Sequence, residues 1–179
     1  MPEMSESVAL AKKPKFDFTA ETLPDHPLFV GLSVPFRQIL AESAIRADFE
    51  SGDTVVEAGE PANGFFLVIK GLIDLETPGS QKPTRVQTIA AGDIMGWSWL
   101  FPPYYWHFNA VAREPVKTIF FFGSRLHRQC DLNHDFGYAL VKGMSQFLIG
   151  HLRSDRERWI EAAHSAPSSA GVLTDYLVI

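Results

Sequence analysis

The residues with the most chemical potential gather in one stretch, GDIMGWSWLFPPYYWHFNAVA, which runs from Gly92 to Ala112. Trp97, Trp99, Phe101, Tyr104, Tyr105, Trp106 and Phe108 put seven large rings into twelve positions. Gly96, Ser98, His107 and Asn109 stand among them and add a flexible backbone point, a hydroxyl, an imidazole and a carboxamide. Flat apolar walls with a few polar groups to orient a guest are what a small-molecule pocket requires. The same rings, each burying about 150–250 Å², would also close such a cavity. Two readings stay open: a pocket for a flat, weakly charged ligand oriented by Ser98, His107 and Asn109, or a plug.

A second group follows. His127, Cys130 and His134 stand at i, i+3 and i+7, one face if a single helix carries them, with Asp131 beside it. That spacing is compatible with a metal or haem ligand set. Asn133 interrupts the run, so a short connecting helix with scattered polar groups is the preferred reading.

Elements must position these groups. Pro102 and Pro103 exclude a continuous helix or central strand through the ring-rich stretch, so a turn has to carry it. Before it, PFRQILAESAI spaces Phe36, Ile39, Leu40 and Ser43/Ala44 as a helix does, with Pro35 at the start. Then TVVEAG, GFFLVIKG, LIDLE, RVQTIAAG, FNAVA and VKTIFFF form short apolar runs separated by turn signals, the texture of an all-β sandwich or barrel. SRLHRQC reads as a short helix capped by Ser124, and a long helix follows over about 134–163. Residues 1–24 read as a polar arm and 164–179 as a tail with a short apolar end.

Composition narrows the partners. A balance of 16 basic and 21 acidic residues gives a net charge of −5 with no basic stripe, which argues against nucleic acid. One cysteine excludes an internal disulfide and fits a reducing, cytoplasmic location. No continuous apolar stretch approaches a membrane span, so no membrane partner is expected.

HPLFVGLS ahead of a helix, followed by FESGDTVVEAGEPANGFFLVIKGLIDL, resembles the cyclic nucleotide-binding domain of the Crp/Fnr type over roughly residues 25–160. Phe49, Gly52, Gly59 and Gly71 carry the pattern, and IAAGDIMG, with Gly92 and Gly96, is similar to the segment leading into that family's phosphate-binding turn. The resemblance implies a mainly β fold, an eight-stranded jelly roll (a double-stranded β-helix) followed by a long dimerising helix. In nucleotide-binding members a glutamate takes the ribose and an arginine takes the cyclic phosphate. Here Trp97 falls at the glutamate position and His107 at the arginine position. A charge-assisted hydrogen bond contributes roughly 1.5–3 kcal/mol and arginine supplies two in parallel, so tight cyclic AMP binding is not expected. N–H groups opening a short helix after Gly96 would offset only part of that loss.

The six histidines form no His-x-His pair of the kind metal-dependent jelly-roll enzymes carry, and neither a Ser-His-Asp arrangement nor a G-x-G-x-x-G loop occurs. No catalytic activity, metal or resident cofactor is expected, a cyclic nucleotide or other small ligand aside. On the long helix Phe136, Leu140, Met144, Phe147, His151 and Leu152 make an apolar stripe, and Ala139, Gly143, Gly150 and Ser154 a small-residue one. An interior glycine costs about 1 kcal/mol relative to alanine, a cost that close approach of another backbone would explain. A homodimer through Ala139, Leu140, Gly143, Met144, Phe147, Gly150 and Ser154 is therefore expected. About fifteen residues follow Ala163, without lysine or arginine, too few for the helix-turn-helix domain of Crp/Fnr regulators. The sequence thus reads as a stand-alone, dimeric sensor or regulatory domain signalling to a protein partner. The alternative is a redox or haem-based sensor of the Crp/Fnr type.

Overall fold

The computed structural model describes residues 18–79 and 83–165, without the side chains of 154, 155 and 157–165. A 3-10 turn, Pro27–Phe29, precedes α1 (Val34–Glu42). Eight strands follow: β1 (Ala44–Phe49), β2 (Thr54–Val56), β3 (Gly64–Lys70), β4 (Ile73–Glu76), β5 (Arg85–Ile89), β6 (Ile94–Met95), β7 (Asn109–Ala112) and β8 (Val116–Phe122). Helices α2 (Gly123–Leu132) and α3 (His134–Ser165) close the order. The strands form two four-stranded antiparallel sheets, β1-β8-β3-β6 and β2-β7-β4-β5, the two-sheet roll the sequence implied.

The aromatic content of β3 and β8 explains why the first sheet is buried on both faces. Phe65 pairs with Phe121 and Phe66 with Phe120, and neighbouring residues on a strand point to opposite sides. On one side Phe65 and Phe121 stack at 4.6 Å, with Trp99 over Phe65 and Phe29 against Phe121. On the other, Phe66 meets Phe120 at 4.7 Å, Phe49 at 6.1 Å and Trp106 at 6.3 Å. Trp106 leads into β7 of the second sheet, so this second cluster is the roll interior. The first cluster is the seat of the helices.

Turn glycines behave as their positions required. Gly52, Gly59, Gly71, Gly92 and Gly96 all have φ between 88° and 100°. At Gly71 a side chain would also meet the Pro115 carbonyl at 2.6 Å, so the β3–β4 turn has no room for one.

Three local expectations change. The first helix ends at Glu42, because Ser43 turns its hydroxyl onto the Ile39 carbonyl (3.0 Å) and Ala44 and Ile45 pair with β8 as strand. No Ser124 cap forms: the N-cap is Phe122, two residues earlier, and the Gly123 N–H donates to the Asn63 carbonyl at 2.8 Å. Residues 18–24 of the expected arm are docked, with Phe18, Ala20 and Leu23 buried and Arg37 donating to the Ala20 and Leu23 carbonyls. Residues 1–17 and the tail from 166 onward lie outside the described residues, as does the side chain of Ser154.

The long helix packs on the roll by most of the stripe the sequence showed, Leu152 being exposed. Phe136, Leu140 and Met144 are buried, and Phe136 lies against Phe36 of α1 at 5.6 Å. At Gly143 an added Cβ would lie 2.9 Å from the carbonyl oxygen of Leu28. The close backbone inferred from this glycine therefore comes from the same chain. Leu140, Gly143 and Met144, expected at a dimer surface, are core positions instead; among the described residues an added Cβ at Gly150 would meet nothing within 4 Å.

Candidate functional site

The ring-rich stretch is a long turn between β6 and β7, and it is threaded through the molecule rather than gathered into one wall. Between Ile94 and Ala112 it contains no Asp, Glu, Lys or Arg. Its backbone is tied to the β2–β3 connection by three hydrogen bonds: Gly59 N–H to Trp106 O (2.8 Å), Trp106 N–H to Glu60 O (2.9 Å) and Ala62 N–H to Tyr104 O (2.7 Å). The Pro102–Pro103 peptide is cis, and Tyr104 follows with φ 61°.

Each predicted site residue can now be placed. Trp99, 2% exposed, goes outward under α2, where His127 meets its ring at 5.1 Å and donates from Nε2 to its carbonyl oxygen at 2.9 Å. Its own Nε1–H is buried without a hydrogen-bond partner among the described residues, as is Oδ1 of Asn63. Trp97 is half-buried and stacks on Phe147 of α3 at 6.2 Å. Tyr105 is exposed in a single bridge to Pro61. Asn109 is structural, its Oδ1 accepting the Ala58 N–H at 2.9 Å. Phe108 is half-buried.

Ser98 and His107 are brought together, with Oγ and Nδ1 3.1 Å apart near the surface. Hydroxyl and imidazole form a small hydrogen-bonding pair, suited to a polar edge of a ligand, and they lack the bidentate guanidinium fork that matches a phosphate. The short helix expected after Gly96 does not form. The segment closes as a single turn, with Leu100 N–H donating to Trp97 O at 3.0 Å, so no helix N-terminus faces an anion there.

Trp106 was missed as a site residue. It is 6% exposed and covers Gly96, where an added Cβ would lie 2.6 Å from its ring; with φ at 100°, Gly96 is required twice over. The signal existed: Trp106, Ala110 and Ala112 alternate and are all buried, whereas His107 lies in the opposite phase and is exposed.

The second group does not assemble. Asn133 ends α2 and accepts the Phe136 N–H at 3.0 Å, so His134 stands on a different helix from His127 and Cys130. Burial, with Asp131 nearby, pushes the Cys130 thiol up and holds it protonated. A Cβ at Gly137 would lie 3.1 Å from its own Cβ. Among the described residues no cluster of metal-ligating side chains occurs.

A third cluster adjoins the site. His26 accepts the Leu28 N–H at Nδ1 (3.1 Å) and donates from Nε2 to the Gly92 carbonyl (2.8 Å), so both nitrogens of a neutral ring are used. Burial holds its pKa below the ordinary imidazole value, against the pull of the Gly92 hydrogen bond and the Asp93 charge.

Residues 46–133 match the family model of the cyclic nucleotide-binding domain. A Geobacter metallireducens GS-15 protein assigned to cyclic nucleotide binding superposes with a TM-score of 0.64 at 22% identity, covering 71% of this chain and 92% of its own. A cyclic nucleotide-binding domain from Methylobacillus flagellatus gives 0.64 at 15% identity, over 82% and 79% of the two chains. The sensor domain of the transcriptional regulator DNR from Pseudomonas aeruginosa gives 0.55 at 22% identity, over 68% and 86%. At these identities the likeness is one of fold. No curated protein sequence matches.

Proposed function

We propose that this chain, whose residues 46–133 belong to the cyclic nucleotide-binding domain family, is a regulatory sensor domain that binds cyclic AMP weakly or not at all. One observation carries the reading. Trp97 and His107, which the resemblance puts where nucleotide-binding relatives hold a glutamate and an arginine, are engaged within the chain: Trp97 stacks against Phe147 and His107 is paired with Ser98. The turn around them has no Asp, Glu, Lys or Arg of its own. What it offers is apolar surface with one hydroxyl–imidazole pair, a chemistry for a flat, weakly charged ligand. No catalytic step is assigned to it.

The output is a displacement of α3, passed to a protein partner, because Trp97 of the turn rests directly on that helix. We place the protein in the cytoplasm as a homodimer. The open side of α3 supports the dimer: Tyr138, Val141, Ile149 and Leu152 are 70%, 40%, 49% and 45% exposed along one helix. Apolar residues repeated at such spacing are the seam of a helix pair. Sedimentation at tens of micromolar should show a dimer, and Ile149→Glu with Leu152→Glu should give a monomer. A parent chain that sediments as a monomer removes the dimer.

Ligand sensing is tested by tryptophan emission. Nucleotides, flavins, haem and small aromatic acids are titrated, and one class should change emission saturably. His107→Ala should weaken that ligand by about 0.5–1.5 kcal/mol, the net worth of an ordinary hydrogen bond. A panel in which nothing titrates would leave a scaffold in place of a sensor.

A further inference from the structure

Beside the ring-rich turn, α3 is fastened to the roll by ionisable groups that the sensor reading does not use. Asp93 lies in the turn between β5 and β6. Its Oδ2 accepts the Ala90 N–H at 2.8 Å, which aims the carboxylate, and its Oδ1 lies 3.3 Å from Nε2 of His151 on α3. The turn itself is held to β3, with Val68 N–H donating to Asp93 O (3.0 Å) and Gly92 N–H to Val68 O (2.8 Å). Phe147 sits between the rings, 4.4 Å from His151, 5.0 Å from His26 and 6.2 Å from Trp97.

We propose that His26, Asp93 and His151 form a proton-operated clasp between α3 and the β5–β6 turn. The two histidines are set up for opposite responses. His151 gives an ion pair with Asp93 only when it is protonated, and the side chains of both partners keep contact with water at 37% and 27% exposure, so a proton can reach them. His26 is 7% exposed and has both ring nitrogens engaged as those of a neutral imidazole. A second proton there would cost the bond from Leu28 N–H and put two imidazolium rings around Phe147. Among the described residues, the charged and titratable groups that face His26 are Asp93 and His151. Acidification that charges His151 while His26 stays neutral tightens the clasp. Further acidification that charges His26 opens it. The clasp stands whether or not the turn binds a ligand, and it gives α3 a second input, proton concentration.

The test is a double-mutant cycle on the full chain with Asp93→Asn, His151→Gln and the pair. The carboxamide introduced by Asp93→Asn keeps an oxygen for the Ala90 N–H, and both positions are partly exposed, so the variants are mild. Melting temperatures are read about one to two pH units on either side of the ordinary imidazole value near 6.5. On the acidic side Asp93→Asn should lower the melting temperature by about 1–3 °C when His151 is present and not when it is replaced by glutamine. On the alkaline side the coupling should vanish. Equal coupling at both pH values, or none at either, overturns the proposal. Hydrogen exchange on the unmutated protein gives an independent reading. Corrected for chemical rate, amides near Phe147–His151 should gain protection on the acidic side relative to those near Phe136–Leu140. No relative gain also overturns it.

Discussion

Two glycines of α3 should respond to the same substitution with opposite sign. Replacing glycine by alanine in a helix interior stabilises by about 0.5–1 kcal/mol, since the unfolded chain loses freedom and the helix gains a better former. At Gly150 nothing among the described residues lies within 4 Å of the new methyl group, so the whole gain should appear. At Gly143 the methyl carbon would be placed 2.9 Å from the Leu28 carbonyl oxygen, and that carbonyl belongs to a 3-10 segment whose Leu28 and Phe29 are fully buried. Neither side can yield cheaply, and overpacking of a tight core contact costs about 1–3 kcal/mol. The expected net effects are a gain of about 0.5–1 kcal/mol for Gly150→Ala and a loss of about 0.5–2 kcal/mol for Gly143→Ala. Urea unfolding at constant m measures both. If Gly143→Ala stabilises as much as Gly150→Ala, α3 does not lie on the Pro27–Phe29 turn as described, and the packing account fails.

Trp99→Ala should cost about 3–5 kcal/mol, because it empties a fully buried indole site between Phe65 and His127. Trp99→Phe should cost distinctly less, since it also deletes a buried N–H left unpaired; thermal melts of the two variants decide this. His26 gives a pH dependence of fixed sign. Its folded-state pKa lies below the unfolded value near 6.5, so its contribution is whole above that value and declines as pH falls, by at most about 1.4 kcal/mol per pH unit. His26→Asn, which retains an acceptor for the Leu28 N–H, should flatten this part of the stability–pH curve; an unchanged slope contradicts the assignment.

How much of this was legible in the sequence depends on range. Six strands were visible as alternating or continuous apolar runs between turn residues, because sheets and turns write short-range signals. β1 was hidden behind a helix whose apolar spacing ran on through Ala44 and Ile45; only the tertiary pairing with β8 decides where that helix stops. The location of the site was legible as a concentration of rings, but the direction of each ring was not. Trp97, Trp99 and Trp106 end against α3, under α2 and inside the roll, and these destinations are set by Phe147, Phe65 and Phe66, all on other elements and distant in the sequence. Gly143 shows the same limit: its need for closeness was readable, the identity of the close backbone was not.

The central claim is that loss of the charged pair at Trp97 and His107 has removed tight recognition of a cyclic phosphate. Calorimetric titration of the full chain with cyclic AMP near neutral pH tests it directly. The account predicts no saturable heat, or a dissociation constant in the high micromolar range, equivalent to a binding free energy weaker than about −6 kcal/mol. A sub-micromolar dissociation constant would contradict it.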